Sequence, residues 1–141
     1  MGGYWSPLVV FCYVSGWEPT MYHSISDAQI AQTLKDGDFP PEIRNAAEKV
    51  LVIMTQDWCE DWHAMETFVP GYEDQVTMFL LVYNLHPDFD AIREFKEDVF
   101  GNREIPYLRY YYRGQLIAKT NQLPRRTFEA LLKRTEPFEL S

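Results

Sequence analysis

The stretch VIMTQDWCEDWHAME, residues 52–66, gathers the side chains best suited to chemistry: Cys59 stands between Trp58 and Trp62, with Asp57, Glu60 and Asp61 beside it. A thiol in this company could act as a nucleophile, contribute to a metal site or simply pack. The thiolate is the reactive form, so its surroundings decide the matter. No Gly or Pro interrupts residues 59–68, which predicts a short helix beginning at or near the cysteine. Unpaired N–H groups and the helix dipole at such a start favour a thiolate over the free thiol, whose pKa is about 8.5. Asp57, Glu60 and Asp61 push the other way, because nearby negative charge disfavours a second anion.

His63, four residues after Cys59, could share its helical face and modulate the thiol as an imidazolium; otherwise it faces solvent. Cys59, His63 and Glu66 have tolerable ligand chemistry, but zinc usually takes three or four ligands with a recognisable second Cys/His pair, and the chain contains none. The expectation is therefore no metal and no cofactor. Trp58 and Trp62 could form an exposed aromatic platform for a substrate, or Trp62 could fill the volume beneath the helix.

The elements that must position this stretch are readable on either side of it. Residues 50–54 are continuously apolar, as suits a central strand covered on both faces, and VTMFLLVYN predicts a second. SDAQIAQTLKDGD places Ala28, Ile30, Ala31 and Leu34 on one helical face with Gly37 to end it, and Pro41 opens a second short helix. HPDFDAIREFKEDVFG predicts a helix with Phe89, Ile92, Phe95 and Val99 on its apolar face and charge pairs in solvent. YLRYYY and QLIAKT flank Arg113-Gly114 as a hairpin, and Pro124 opens the last helix. Alternation sends Tyr107, Arg109 and Tyr111 to one face and Leu108, Tyr110 and Tyr112 to the other. A first strand is expected at residues 8–14, followed by a turn-rich segment, giving the order β-α-α-β-α-β-α-β-β-α. Such an order implies an α/β fold with a mixed sheet flanked by helices on both faces.

A chain of 141 residues, 46% of them hydrophobic, is one ordinary domain able to bury a core without disulfides or metals. The formal charge of −8 argues against nucleic acid and anionic membrane surfaces as partners, since both are bound through basic patches. No run approaches the ~20 apolar residues needed to span a bilayer. Two cysteines make no disulfide framework, which fits a reducing cytoplasm. Cys12, in the expected first strand, reads as a small buried residue, and could resolve a disulfide on Cys59 only with the two Cα atoms within about 7 Å.

The Trp58-Cys59 pair at a strand–helix junction and Ile105-Pro106 just before the final hairpin resemble the thioredoxin family over residues 50–134. The resemblance implies a single thioredoxin-like domain over residues 1–141, with residues 1–49 supplying an N-terminal strand and helices. It also implies a cis Ile105-Pro106 bond beside the cysteine, and a substrate groove lined by Trp58, Trp62, Ile105 and Pro106. Two positions depart from the family. The second cysteine of its Trp-Cys-x-x-Cys pair falls on Trp62, and its buried acid, six residues before the first cysteine, falls on Ile53. A mixed disulfide on Cys59 then lacks the neighbouring thiolate that completes exchange. Two functions follow from the resemblance. One is monothiol exchange, with Cys59 acting on a protein or peptide disulfide or a low-molecular-weight thiol. The other is a redox-inactive module that keeps the groove for a peptide or protein.

Overall fold

The computed structural model describes residues 21–138. The expected strand at residues 8–14, and Cys12 with it, lie outside the described residues. Among the described residues the sheet has five strands: β1 (Tyr22–His23), β2 (Lys49–Thr55), β3 (Thr77–Val82), β4 (Tyr107–Tyr112) and β5 (Gln115–Thr120), in the spatial order β1-β3-β2-β4-β5. β1, β3 and β2 run parallel, and β4 and β5 are antiparallel additions. The helical connections from β1 to β2 and from β2 to β3 join strands that run parallel, whereas the helical connection after β3 returns the chain as β4 antiparallel to β2, and a two-residue turn then adds β5 antiparallel to β4. β1 falls in the segment read as turns; a two-residue strand is too short to carry a periodic signal.

Among the described residues five α-helices cover the sheet: α1 (Asp27–Asp36), α2 (Pro41–Arg44), α3 (Glu60–Met65), α4 (Phe89–Asp98) and α5 (Arg125–Leu131). Their starts and stops are locally encoded. Ser26 and Gln29 form a capping box on α1, Gly37 ends it in the left-handed region at φ 87°, and Pro41 opens α2. No helix among the described residues is long and apolar enough to cross a membrane.

β2 is the centre of the molecule, paired on both edges and almost wholly buried. Its side chains alternate between two cores, as the pleat requires. Leu51 and Ile53 join Trp62 and Met65 of α3 and Phe128 and Leu131 of α5. Val50, Val52 and Met54 join Ile30 of α1, Ile43 of α2, and Ile92 and Phe95 of α4. Each buried side chain of this size contributes roughly 1.5–3 kcal/mol, so burial of β2 on both faces fixes where its C-terminal end, and the cysteine beyond it, must sit.

Candidate functional site

Cys59 follows β2 by four residues and is the N-cap of α3: its backbone is extended (φ −72°, ψ 110°), its carbonyl accepts the first helical bond from His63 N–H, and its Sγ accepts from Trp62 N–H at 3.4 Å. The preceding loop is tied to the short 3-10 turn after β3. Gln56 Nε2 donates to the Tyr83 hydroxyl, and Asp57 and Asn84 exchange two bonds of 3.0 and 2.8 Å. The Trp58 indole donates to Gln56 Oε1 at 2.6 Å, which leaves its ring face outward; the residue is 64% exposed.

Residues 58–61 form one wall of a groove of about 570 Å³, and Arg103, Glu104 and Ile105 form the other. Cys59 lies at its floor with 3% of its surface exposed, so the thiol is less accessible than the helix-start position alone led us to expect. Trp62 is not part of the groove. It is 3% exposed, belongs to the buried cluster with Ile53 and Cys59, and stacks at an angle on Tyr22 with centroids 6.0 Å apart. The reason is angular: Cys59, Trp62 and Met65 recur every three residues, so all three turn toward the sheet. The Ile105-Pro106 peptide is cis. Pro106 itself is buried and does not line the groove; Ile105 does.

His63 also departs from the role of modulator. Its ring meets the Asp57 carbonyl at 3.0 Å and lies 3.6 Å from Glu66, on the solvent side of α3, away from the buried thiol. Among the described residues no group of three or more His, Cys, Asp or Glu could hold a metal ion.

Sequence reasoning missed the supports of the second wall. Lys96, read as part of a solvated face, is 1% exposed, and its ammonium donates to the Asn102 carbonyl at 2.8 Å. Asn102 and Asn121 exchange side-chain amide bonds of 2.9 Å, and Asn121 Nδ2 also reaches the carbonyls of Glu104 and Pro106. Lys96 and Asn121 together thus hold the backbone of residues 102–106, including the part that lines the groove. The signal was present in the helical spacing, since Lys96 lies four residues after Ile92 on the buried stripe. Burial pushes its pKa down to about 8, against smaller opposing effects of Glu97 and Glu104.

The other buried cation, Arg109, is held by the hydroxyls of Tyr107 and Tyr111 at 2.9 Å each and by Asp38 at 3.2 Å, with its guanidinium 4.0 Å from the centre of the Phe100 ring. These are the side chains that strand alternation placed on one face.

Solved structures share the fold that carries this site. Thioredoxin O2 from Arabidopsis thaliana in the oxidised state superposes with a TM-score of 0.55 at 12% identity, over 81% of this chain and 93% of its own. A mutant thioredoxin from Halobacterium salinarum gives 0.54 at 15% identity, over 70% and 83%. The fold is that of thioredoxin. A protein described as a putative oxidoreductase with a thioredoxin fold matches over its full length and 83% of this chain, at 14% identity and a TM-score of 0.53. No protein-family model matches the chain, and no curated protein does. Within this thioredoxin fold the hydrocarbon of Ile53, fully buried, stands beneath the cysteine helix.

Proposed function

We propose that the protein carries out monothiol exchange through Cys59. The observation that carries this reading is the placement of the cysteine: a thiol capping a helix and lining an open groove, with its sulfur turned to a backbone N–H and no second cysteine among the described residues. The Trp62 N–H is aimed at the sulfur from the helix start, as a nucleophilic sulfur requires of its surroundings. In the first step the thiolate attacks one sulfur of a protein or peptide disulfide, forming a mixed disulfide and releasing the other sulfur as a thiolate. An external low-molecular-weight thiol, as its thiolate, then attacks the substrate sulfur of the mixed disulfide. This frees the Cys59 thiolate and leaves the external thiol joined to the substrate. Among the described residues neither Trp62 nor Ile53 supplies the resolving thiol or the assisting acid, and this reading assigns that step to an external thiol, which a reducing cytoplasm provides. Ile105 and Trp58 bound the substrate on either side.

A second reading, a redox-inactive module that binds a peptide or protein in the same groove, draws on the burial of the thiol and the exposure of Trp58. Insulin reduction driven by dithiothreitol, followed by glutathionylation of the Cys12→Ser protein, separates the two. Monothiol exchange gives little insulin turnover but stoichiometric, reversible capture of glutathione on Cys59. Insulin turnover at the rate of a dithiol thioredoxin contradicts the monothiol cycle, and no capture at all leaves the binding module.

A further inference from the structure

The groove over Cys59 has a strongly one-sided charge. Its walls carry Glu60, Asp61 and Glu104, all exposed, and the one cation among its lining residues, Arg103, is already engaged by other carboxylates: Nη1 lies 3.0 Å from Glu97 Oε1 and Nη2 3.9 Å from Asp98 Oδ1. Asp57 adds a carboxylate one residue before Trp58, and its partner is the neutral amide of Asn84. The same Asp57–Asn84 bonds bring together two loops whose next residues, Trp58 and Leu85, are 64% and 67% exposed, the two most exposed large apolar side chains among the described residues. Trp58, which lines the acidic groove, and Leu85 are left uncovered among the described residues. A second copy of this chain is a poor occupant, because two like grooves on chains of formal charge −8 repel.

We propose that this surface docks a cationic segment of a partner protein, with Lys or Arg side chains meeting Glu60, Asp61 and Glu104 and an apolar side chain seated against Trp58 and Leu85. The indole face adds to the selection, since it attracts ammonium and guanidinium groups as well as hydrocarbon. The inference rests on the groove being the working site and names its partner: a basic peptide, in extended chain or loop, whose disulfide or free cysteine is brought over Cys59. Acidic and neutral segments gain no such complementarity, which acts on encounter as well as on choice of partner.

The test separates docking from chemistry by using the Cys59→Ser protein, which cannot form a mixed disulfide through this site. Three synthetic peptides share one apolar centre and differ in flanks: Lys/Arg, Ser/Gln or Glu. Binding is followed through the indole N–H resonance of Trp58, assigned with Trp58→Phe. The cationic peptide moves this resonance and binds on the order of tenfold or more tighter than the neutral one, while the acidic one does not bind. Glu60→Gln and Glu104→Gln each weaken it about two- to fivefold, the scale of single exposed ion pairs. Affinity also falls as salt shortens the Debye length from about 10 Å to about 3 Å. Equal affinity for all three peptides, insensitivity to salt, or no binding of the cationic peptide overturns the proposal. The wild-type protein is then offered cystamine and the neutral hydroxyethyl disulfide. Exchange with both at equal rates leaves the monothiol cycle standing without charge selection. Peptide docking with no exchange at Cys59 leaves the docking surface standing without the cycle.

Discussion

Trp62 occupies the third position of α3, where its N–H meets the Cys59 sulfur and its indole fills the space between helix and sheet. Replacing it by cysteine puts a second thiol one turn from the first at a helix start, where a disulfide between them can close. The substitution also removes a buried ring, at a cost of about 3–5 kcal/mol. Trp62→Cys is therefore expected to have a lower urea midpoint and to form that disulfide on oxidation, both measurable on one sample by denaturation and by mass mapping in the Cys12→Ser background. A folded variant that closes no such bond means Cys59 is not held at the start of the helix. Residue type alone did not distinguish the two tryptophans, since both are large indoles beside one thiol. What separates them is angle about the helix, and the spacing of Cys59, Trp62 and Met65 contains it. The burial of Pro106 and the outward turn of His63 were less legible, because each depends on how a loop settles against its neighbours rather than on period.

The hairpin between β4 and β5 shows how far an element can be read from two letters. Arg113 and Gly114 both have positive φ, 51° and 82°, the combination that lets a two-residue turn match strand twist. The turn also packs on the end of α2: a Cβ on Gly114 would stand 2.2 Å from Asn45 Oδ1. Gly114→Ala is thus expected to lose about 2 kcal/mol or more, through the left-handed backbone and the displaced Asn45 together. Urea denaturation with fluorescence detection measures this, and an unchanged midpoint would show that the turn relaxes freely. For α4 the sequence located the helix but not its whole buried face. Phe95 and Ile92 point inward as their period requires, yet Val99 lies past the helix end and is exposed while Lys96 is buried. A charged side chain read from polarity alone goes to solvent; the helical spacing turns Lys96 inward with Ile92, and the Asn102 carbonyl, in the loop just after α4, receives its ammonium.

At the scale of the whole molecule, two buried cations sit in a chain of formal charge −8 and are stabilised differently. Arg109 has Asp38 and two tyrosine hydroxyls around it, whereas Lys96 bonds to a neutral carbonyl and makes no salt bridge among the described residues. The imbalance sets the alkaline behaviour of the fold. Lys96 has a pKa lowered from 10.5 to about 8 by burial. Below the lower value it is charged in both folded and unfolded chains, and the penalty of burying the charge is fully present. Between the two values the unfolded chain binds more protons than the folded one, so stability rises with pH, by an amount on the order of 3 kcal/mol over the whole interval. Tyrosines reverse the trend at higher pH. Burial raises the pKa of Tyr110 to about 12, with Tyr22 and Tyr111 shifted the same way, so above about pH 10 the unfolded chain releases protons the folded one keeps, and stability falls again. Lys96→Met removes the first effect and leaves the second. At pH 7 the variant escapes the burial penalty but loses a charge-assisted hydrogen bond to the Asn102 carbonyl, worth about 1.5–3 kcal/mol, so the two effects largely offset and the diagnostic is the pH trend rather than the midpoint at one pH. Urea midpoints taken from about pH 7 to pH 11 should therefore rise and then fall for the wild type and only fall for Lys96→Met. An identical rise in both proteins would mean that another group carries the alkaline gain and that Lys96 keeps its proton in the core.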